Sequence, residues 1–404
     1  MTQCRACLGS DLFLYLPLGN HPPANAFVRP EALDKPEATW PLDTHVCLTC
    51  GLIQVPDKLP PDFFVEYVYM PSEADTMRRH FAALARQCKE TLVSSPDDCV
   101  VDIGCNDGLF LASCKAEGLR TLGIDPSQNI AAFARARGIE VFNEYFTSES
   151  SKRVLAQFGP AKVIVTTNTF NHIDDLHGFM DGVRTLLAPD GTFVIEVPQA
   201  LTCVEHNEFD TVYHEHLSVF SVASIVALGK FFGLVVVDVE ELPIHGGSMR
   251  VFLRRSGPAK PIVAEWLRRE KEAGLFERDT YVEHAARVER IRADLMALLR
   301  DLKRQGKRLA GYGAPAKGST LLNYYGIGPD LLEFLADRNQ LKQGKYSPGT
   351  HIPVVSPDVI ADSKPDYLLI LAWNFADEIM QQQEAFRAAG GKFILPIPEP
   401  RVVG

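Results

Sequence analysis

The chain has 404 residues, 46% hydrophobic and 23% charged, a composition of folded soluble protein and a length that calls for two or three domains. A net charge of −10 with no basic run argues against nucleic acid as a partner. No apolar stretch is long enough to cross a membrane and no secretion signal opens the chain, so a cytoplasmic, monomeric enzyme with reduced thiols is expected.

Two Cys-x-x-Cys pairs come first, Cys4 with Cys7 and Cys47 with Cys50. Each pair supplies two thiolates from one tight knuckle, and two knuckles complete a tetrahedral Cys4 zinc site. No histidine or carboxylate enters either knuckle, which marks the zinc as structural. Pro22, Pro23, Pro30, Pro36 and Pro41 lie between the pairs, so a loop-rich module with little core apart from its metal is expected. Tyr67 and Tyr69 follow, on one face of an extended segment, suited either to interdomain packing or to a cleft. Met77, Phe81, Leu84 and Ala85 then form the stripe of a helix over 76–90.

The apolar run Cys99–Ile103 predicts a buried strand, and Gly104 and Gly108 a tight turn into a helix from Leu109. Such a turn brings a ligand to backbone N–H groups and the positive helix end. Asp125, about twenty positions on and past a second strand, suits a ribose diol. Asn106 stands where the dinucleotide fingerprint needs glycine. Acid-x-Gly-x-x-x-Gly followed by Asp125 instead resembles the S-adenosylmethionine (SAM) loop of class I methyltransferases, with Asp102, Gly104, Asn106, Gly108, Asp125 and Asn168 as candidate cofactor residues.

Strands and helices alternate from Cys99 to Val197, and a hairpin over 234–254 closes the series through Pro243-Ile244-His245-Gly246-Gly247. Five βα units and a hairpin fit a seven-stranded methyltransferase sheet. Ligand groups then gather at the carboxyl ends of the strands, where Asn168 and His172 fall. The densest polar stretch, 205–216, overhangs the same rim and ends in Tyr213-His214-Glu215-His216. Three readings stay open for it, in this order: a histidine general base with Tyr213 and Glu215 in support, a solvated loop, or a second metal site from His206, His214 and His216.

The last third opens with an amphipathic helix over 281–304, probed by Val288, Ile291, Leu295 and Leu302 at helical spacing. A second α/β unit follows. Its glycine turn, 312–320, holds Lys317, Gly318 and Ser319, read as a phosphate cradle or as a helix cap that carries a lysine.

Taken in order, CxxC…CxxC, Tyr-x-Tyr, Asp-Ile-Gly-x-Asn-Asp-Gly, Tyr-His-Glu-His, His-Gly-Gly-Ser and Gly-Tyr-Gly-Ala-x-Ala-Lys-Gly resemble the sugar C-methyltransferases that act on nucleotide-linked 4-keto-deoxysugars. The resemblance implies an α/β, three-domain chain: a zinc-binding module (1–72), a SAM-binding methyltransferase domain (73–256), and a long helix with a Rossmann-like nucleotide-sugar domain (257–404). It implies SAM and structural zinc as cofactors and a nucleotide-linked 4-keto-deoxysugar as substrate. His216 is the implied base at C3, with Tyr213, Glu215 and the competing His214 beside it. Tyr67, Tyr69, His172, His245 and the Lys317 turn are the implied substrate pocket. Two other classes, a binding protein with a degenerate methyltransferase fold and an O- or N-methyltransferase, fit the same sheet.

Overall fold

The computed structural model describes residues 3–56, 59–60, 72 and 74–404. Tyr67 and Tyr69 lie outside the described residues, as does the side chain of His245. In the N-terminal segment the strands are β1 (Leu12–His21), β2 (Trp40–Cys47) and β3 (Ile53–Gln54). The middle segment holds β4 (Cys99–Ile103), β5 (Arg120–Ile124), β6 (Val141–Phe142), β7 (Ala161–Thr167), β8 (Leu187–Pro198), β9 (Ser218–Val219), β10 (Val235–Leu242) and β11 (Ser248–Arg254). The last third holds β12 (Leu309–Tyr312), β13 (Leu335–Ala336), β14 (Val354–Val355), β15 (Tyr367–Ile370), β16 (Lys392–Leu395) and β17 (Arg401–Val403).

Among the described residues these strands make three sheets. The central one has the order β10-β11-β8-β7-β4-β5-β6. Only β11 runs against the rest, since it pairs antiparallel with both β8 and β10 while the other pairings are parallel. This is the class I methyltransferase sheet. All five residues of β4, in the interior of this sheet, are buried, as expected of a strand covered on both faces. The third sheet has the order β14-β13-β12-β15-β16-β17, parallel except for β17, which is a Rossmann-like arrangement. In both sheets the strand order reverses beside the first strand, at β4/β7 and at β12/β15, and a glycine turn leaves each of these points.

The N-terminal module corrects the expectation of a loop-rich segment. β1 and β2 form an antiparallel pair, and β2 alternates buried Leu42, Thr44 and Val46 with more exposed neighbours. Leu16, Leu52, Ile53 and Val55 join them in a core continuous with the central domain. The prolines mark only the connection between the two strands, apart from Pro41 inside β2. The sheet order is β1-β2-β3-β9, so its last strand is borrowed from the middle segment, immediately after Tyr213-His214-Glu215-His216.

The long helix runs Arg278–Arg304 and buries Tyr281, His284, Val288, Ile291, Leu295 and Leu302. Tyr281 meets Tyr15 of β1 with ring centroids 5.0 Å apart, which ties the helix to the module. No helix among the described residues is long and apolar enough to cross a membrane.

Candidate active site

The four knuckle sulfurs, Cys4, Cys7, Cys47 and Cys50, lie within 4.8 Å of one another. Cys4–Cys50 and Cys7–Cys47 are each 3.6 Å apart. A tetrahedron with Zn–S bonds of about 2.3 Å has edges of about 3.8 Å, so the four thiols fit zinc. The knuckles are tied to the central domain, since Ser221 Oγ donates to the Cys50 carbonyl at 2.6 Å.

A cavity of about 430 Å³ opens where the carboxyl ends of β4, β5 and β7 face those of β12, β13 and β15. Asp102, Gly104, Asn106, Asp125, Asn168, His172, Tyr213, His216 and Lys317 all line it. Gly108, His214, Glu215, Gly318 and Ser319 do not. The glycine turns of both α/β units and the Tyr-His-Glu-His loop therefore share one cavity.

On the β4 side, Asp125 Oδ2 accepts from the Asn106 N–H at 2.9 Å and Oδ1 from the Ser127 N–H at 2.8 Å. Burial raises the Asp125 carboxyl, and these two N–H groups work against that rise. Asn143 Nδ2 donates to the Asp125 carbonyl at 2.6 Å, which fixes the strand end. Asp102 is 2% exposed, and its Oδ1 has no hydrogen bond among the described residues. Burial, with Asp125 and Glu196 as nearby like charges, holds its carboxyl well above the usual range. A ligand that brings N–H donors or positive charge to this orphaned oxygen would favour its ionised form against that burial, and SAM brings both. Helix Asp75–Gln87 supplies Met77 and Phe81 to the same wall. It is anchored by His80 Nε2 on Glu196 Oε1 at 2.6 Å, and Arg250 Nε reaches the other oxygen at 3.0 Å. Burial pushes the Glu196 carboxyl up, but His80 and Arg250 outweigh it and hold the group below its ordinary value.

Two glycines act differently from the expected ligand approach. A Cβ on Gly104 would meet Thr169 Oγ1 at 2.1 Å, and its φ of +79° disfavours a side chain in any case. A Cβ on Gly108 would meet Ala134 Cβ at 2.9 Å, so this glycine lets helices Leu109–Ala116 and Gln128–Ala136 approach each other. Asn106 and Asn168 both have positive φ, +49° and +53°, a conformation asparagine tolerates.

In the loop, His216 Nδ1 lies 2.9 Å from the Thr211 carbonyl. A carbonyl only accepts, so Nδ1 carries the proton and Nε2 is the basic nitrogen. Nε2 is hydrogen-bonded to the Tyr213 hydroxyl, and the two rings stack with centroids 3.9 Å apart. His172 stands edge-on to His216 at 4.9 Å. Burial pushes the His172 imidazole down to about 4, so it is neutral at physiological pH. His214 points elsewhere: its Nε2 lies 3.0 Å from the Trp40 carbonyl, to which it donates, and the ring is 2% exposed. Glu215 Oε2 accepts from Asn25 Nδ2 at 2.7 Å.

On the β12 side, Lys317 sits in the first turn of helix Ala316–Tyr325, 4.0 Å from Glu208 Oε2 and 4.5 Å above the Trp373 ring. Trp373 Nε1 donates to Asp210 Oδ2 at 2.7 Å. Burial pushes the Glu208 carboxyl up to about 7 and Asp210 up to about 6, with Lys317 opposing both. Gly318 packs on Leu371, where a Cβ would come within 3.0 Å, and Ser319 Oγ faces Asn323. These two residues therefore build the helix behind Lys317 rather than the cavity wall. Asp337 was not foreseen. Its Oδ2 accepts from the Ala314 N–H at 2.6 Å and its Oδ1 from the Asn339 N–H at 2.8 Å, the same arrangement that Asp125 has in the first unit. The signal was present, an acid at the end of the second strand after a glycine turn. Asn25 also lines the cavity, from the connection between β1 and β2, and nothing in its local sequence announces it.

Three family models match in order along the chain: "Putative zinc binding domain" over residues 4–64, "Methyltransferase domain" over 75–239, and "C-methyltransferase C-terminal domain" over 243–398. The chain is 40% identical to C-methyltransferase NovU of Streptomyces niveus over 405 aligned residues, covering 99% of this chain and 96% of that protein. The chain belongs to this C-methyltransferase family. Among solved structures, a SAM-dependent methyltransferase from Archaeoglobus fulgidus is 19% identical, with 41% of this chain and 72% of that one covered at a TM-score of 0.35. One from Anabaena variabilis is 14% identical, with 50% and 100% covered at 0.35. The family models and the identity to NovU make this chain a SAM-dependent C-methyltransferase with a Cys4 cluster that could hold a metal ion.

Proposed function

We propose that this C-methyltransferase acts on a nucleotide-linked 4-keto-deoxysugar, at the carbon next to the keto group and at C3 in particular, with His216 as the base. The observation that carries the proposal is the shared cavity: the Tyr213–His216 pair lies on its wall between the β4 turn and the Lys317 turn. A C–H beside a ketone is acidic enough for an imidazole to remove once the enolate is stabilised, and no metal at the carbon is needed.

Bound SAM supplies an electrophilic methyl group to the carbanionic carbon. The chain's own residues do the rest. Thr211 fixes His216 with Nε2 as the acceptor, so the proton leaving the sugar carbon goes to Nε2. In the resting site the Tyr213 hydroxyl donates to Nε2; turning to donate to the enolate oxygen, it frees the Nε2 lone pair for the sugar proton. His172, held neutral by burial, adds no competing charge beside the imidazolium that forms. Asp102, Asn106, Asp125 and Asn168 hold the cofactor, Asp125 by the ribose diol. Lys317 meets the diphosphate of the sugar nucleotide, with the helix start behind it. In this reading the three segments 1–72, 73–256 and 257–404 divide into metal, cofactor and nucleotide-sugar domains.

The experiment is incubation with SAM and a panel of nucleotide-linked 4-keto sugars, read by mass spectrometry for a gain of one methyl on carbon. Solvent deuterium entering the sugar C–H without SAM supports the proposal, because O- or N-methylation never touches that proton. Failure to methylate or exchange any member of the panel contradicts it.

A further inference from the structure

We infer that the N-terminal module is a positioning frame for the 213–217 loop, and that Asn25 is a positioning residue that acts through Glu215. The inference rests on the reading of His216 as the base. The loop is held from the module at three successive places. His214 Nε2 donates to the Trp40 carbonyl at 3.0 Å. Glu215 Oε2 accepts from Asn25 Nδ2 at 2.7 Å. The Leu217 carbonyl accepts from the Val55 N–H at 3.0 Å and from Arg5 Nη1 at 3.3 Å. Beyond it β9 joins β3, with Val219 opposite Ile53. Both flanks of His216 are therefore fixed to a segment that lies far from them in sequence.

Asn25 is the side chain in this set that both holds the loop and faces the cavity. Glu215 is fully buried at 0% exposure, and a buried carboxylate needs donors to stay in one place. The carboxamide supplies one without adding charge. Asn25 is itself well anchored. Three residues on, Val28 exchanges backbone hydrogen bonds of 2.9 and 2.8 Å with Tyr346 of the C-terminal domain. Farther along the same connection Glu37 meets His351 Nε2 at 2.7 Å. The connection thus runs from the C-terminal domain to the loop, and Asn25 is its point of contact with Glu215. Loss of that contact lets Glu215 turn and moves His216 with it. A displacement of about 1 Å in a base costs about a hundredfold in rate.

The test is a double-mutant cycle between Asn25→Asp and Glu215→Gln on the full chain. Asn25→Asp keeps the shape, removes the donor and sets a carboxylate against Glu215. It is expected to lower kcat and sugar C–H exchange together by about tenfold or more, with SAM affinity at the parental value and the sugar KM changed by less than about threefold. In the Glu215→Gln background, Asn25→Asp is expected to cost nothing further. Independent, multiplying losses overturn the inference, and so does a raised KM with kcat unchanged, which makes Asn25 a substrate contact. Should Asn25→Asp lower the melting temperature, Asn25→Ala carries the same cycle without an added charge. His216→Asn is measured alongside. Parental exchange in that variant contradicts the base reading itself, whereas lost exchange there with parental exchange in Asn25→Asp contradicts only the positioning role.

Discussion

Asp125 does two things at once. It faces the cavity, and it ties the Asn106 and Ser127 N–H groups to the end of β5. Asp125→Ala therefore loosens the turn and removes the proposed diol partner, and SAM binding is expected to weaken by about 1.5–3 kcal/mol in a titration calorimeter. Gly104→Val is expected to abolish SAM binding by wrecking the turn against Thr169 rather than by filling the cofactor's space. Adding Thr169→Ala removes the two closest contacts but not the positive φ, so binding returns only in part. Lys317 carries a similar double burden. Lys317→Ala is expected to raise the sugar KM with SAM affinity unchanged, and also to lower the melting temperature, because Glu208 and Asp210 lose their neighbouring cation. Lys317→Arg keeps the charge and is expected to recover most of that stability. The residue types were legible in the sequence because glycine, aspartate and lysine in a strand–turn–helix context have few other uses. The partners were not, since Thr169 and Glu208 come from distant segments.

At the level of elements, the zinc knuckles and the long helix carry stability. Metal analysis is expected to find about one zinc per chain, and Cys50→Ser to lower stability through loss of a ligand to the ion, since the Ser221 contact is to the backbone carbonyl and survives the change. Equal stability of the four-serine variant and the parent would remove the site. On helix Arg278–Arg304, His284 is fully buried with neither ring nitrogen hydrogen-bonded among the described residues, and burial pushes it down to about 3. Its folded value lies below the ordinary 6.5, so the unfolded chain binds more protons between those two values. Stability from this residue is full above about pH 6.5 and is lost as pH falls toward 3, by about 2 kcal/mol at pH 5. Glu208 and Glu270, both pushed up to about 7 by burial, act in the opposite direction. The informative quantity is thus the urea midpoint of the parent minus that of His284→Phe, which is expected to fall between pH 7 and pH 5. The periodicity of the long helix was easy to read. The β1–β2 pair was hidden by prolines that belong mainly to its connection, and by a sheet that is completed only when β9 arrives from the middle of the chain.

Across the whole molecule, the two α/β units point the carboxyl ends of their strands at one cavity, and each holds an aspartate to its own glycine turn. The alternation of strands and helices foretold both sheets, because periodicity is local. It could not foretell that the N-terminal module would brace the loop between them, because that rests on pairings such as Ile53 with Val219. The central claim is that His216 removes the sugar proton, and losing a general base costs about 10²–10⁴-fold. The most direct measurement is solvent deuterium exchange at C3 of the keto sugar, without SAM, in His216→Asn and His214→Asn beside the parent. His216→Asn is expected to bind SAM and sugar but not to exchange, while His214→Asn, which loses one of the loop's ties to the module, is expected to exchange more slowly than the parent yet measurably; near-parental exchange in His216→Asn would contradict the assignment of the base.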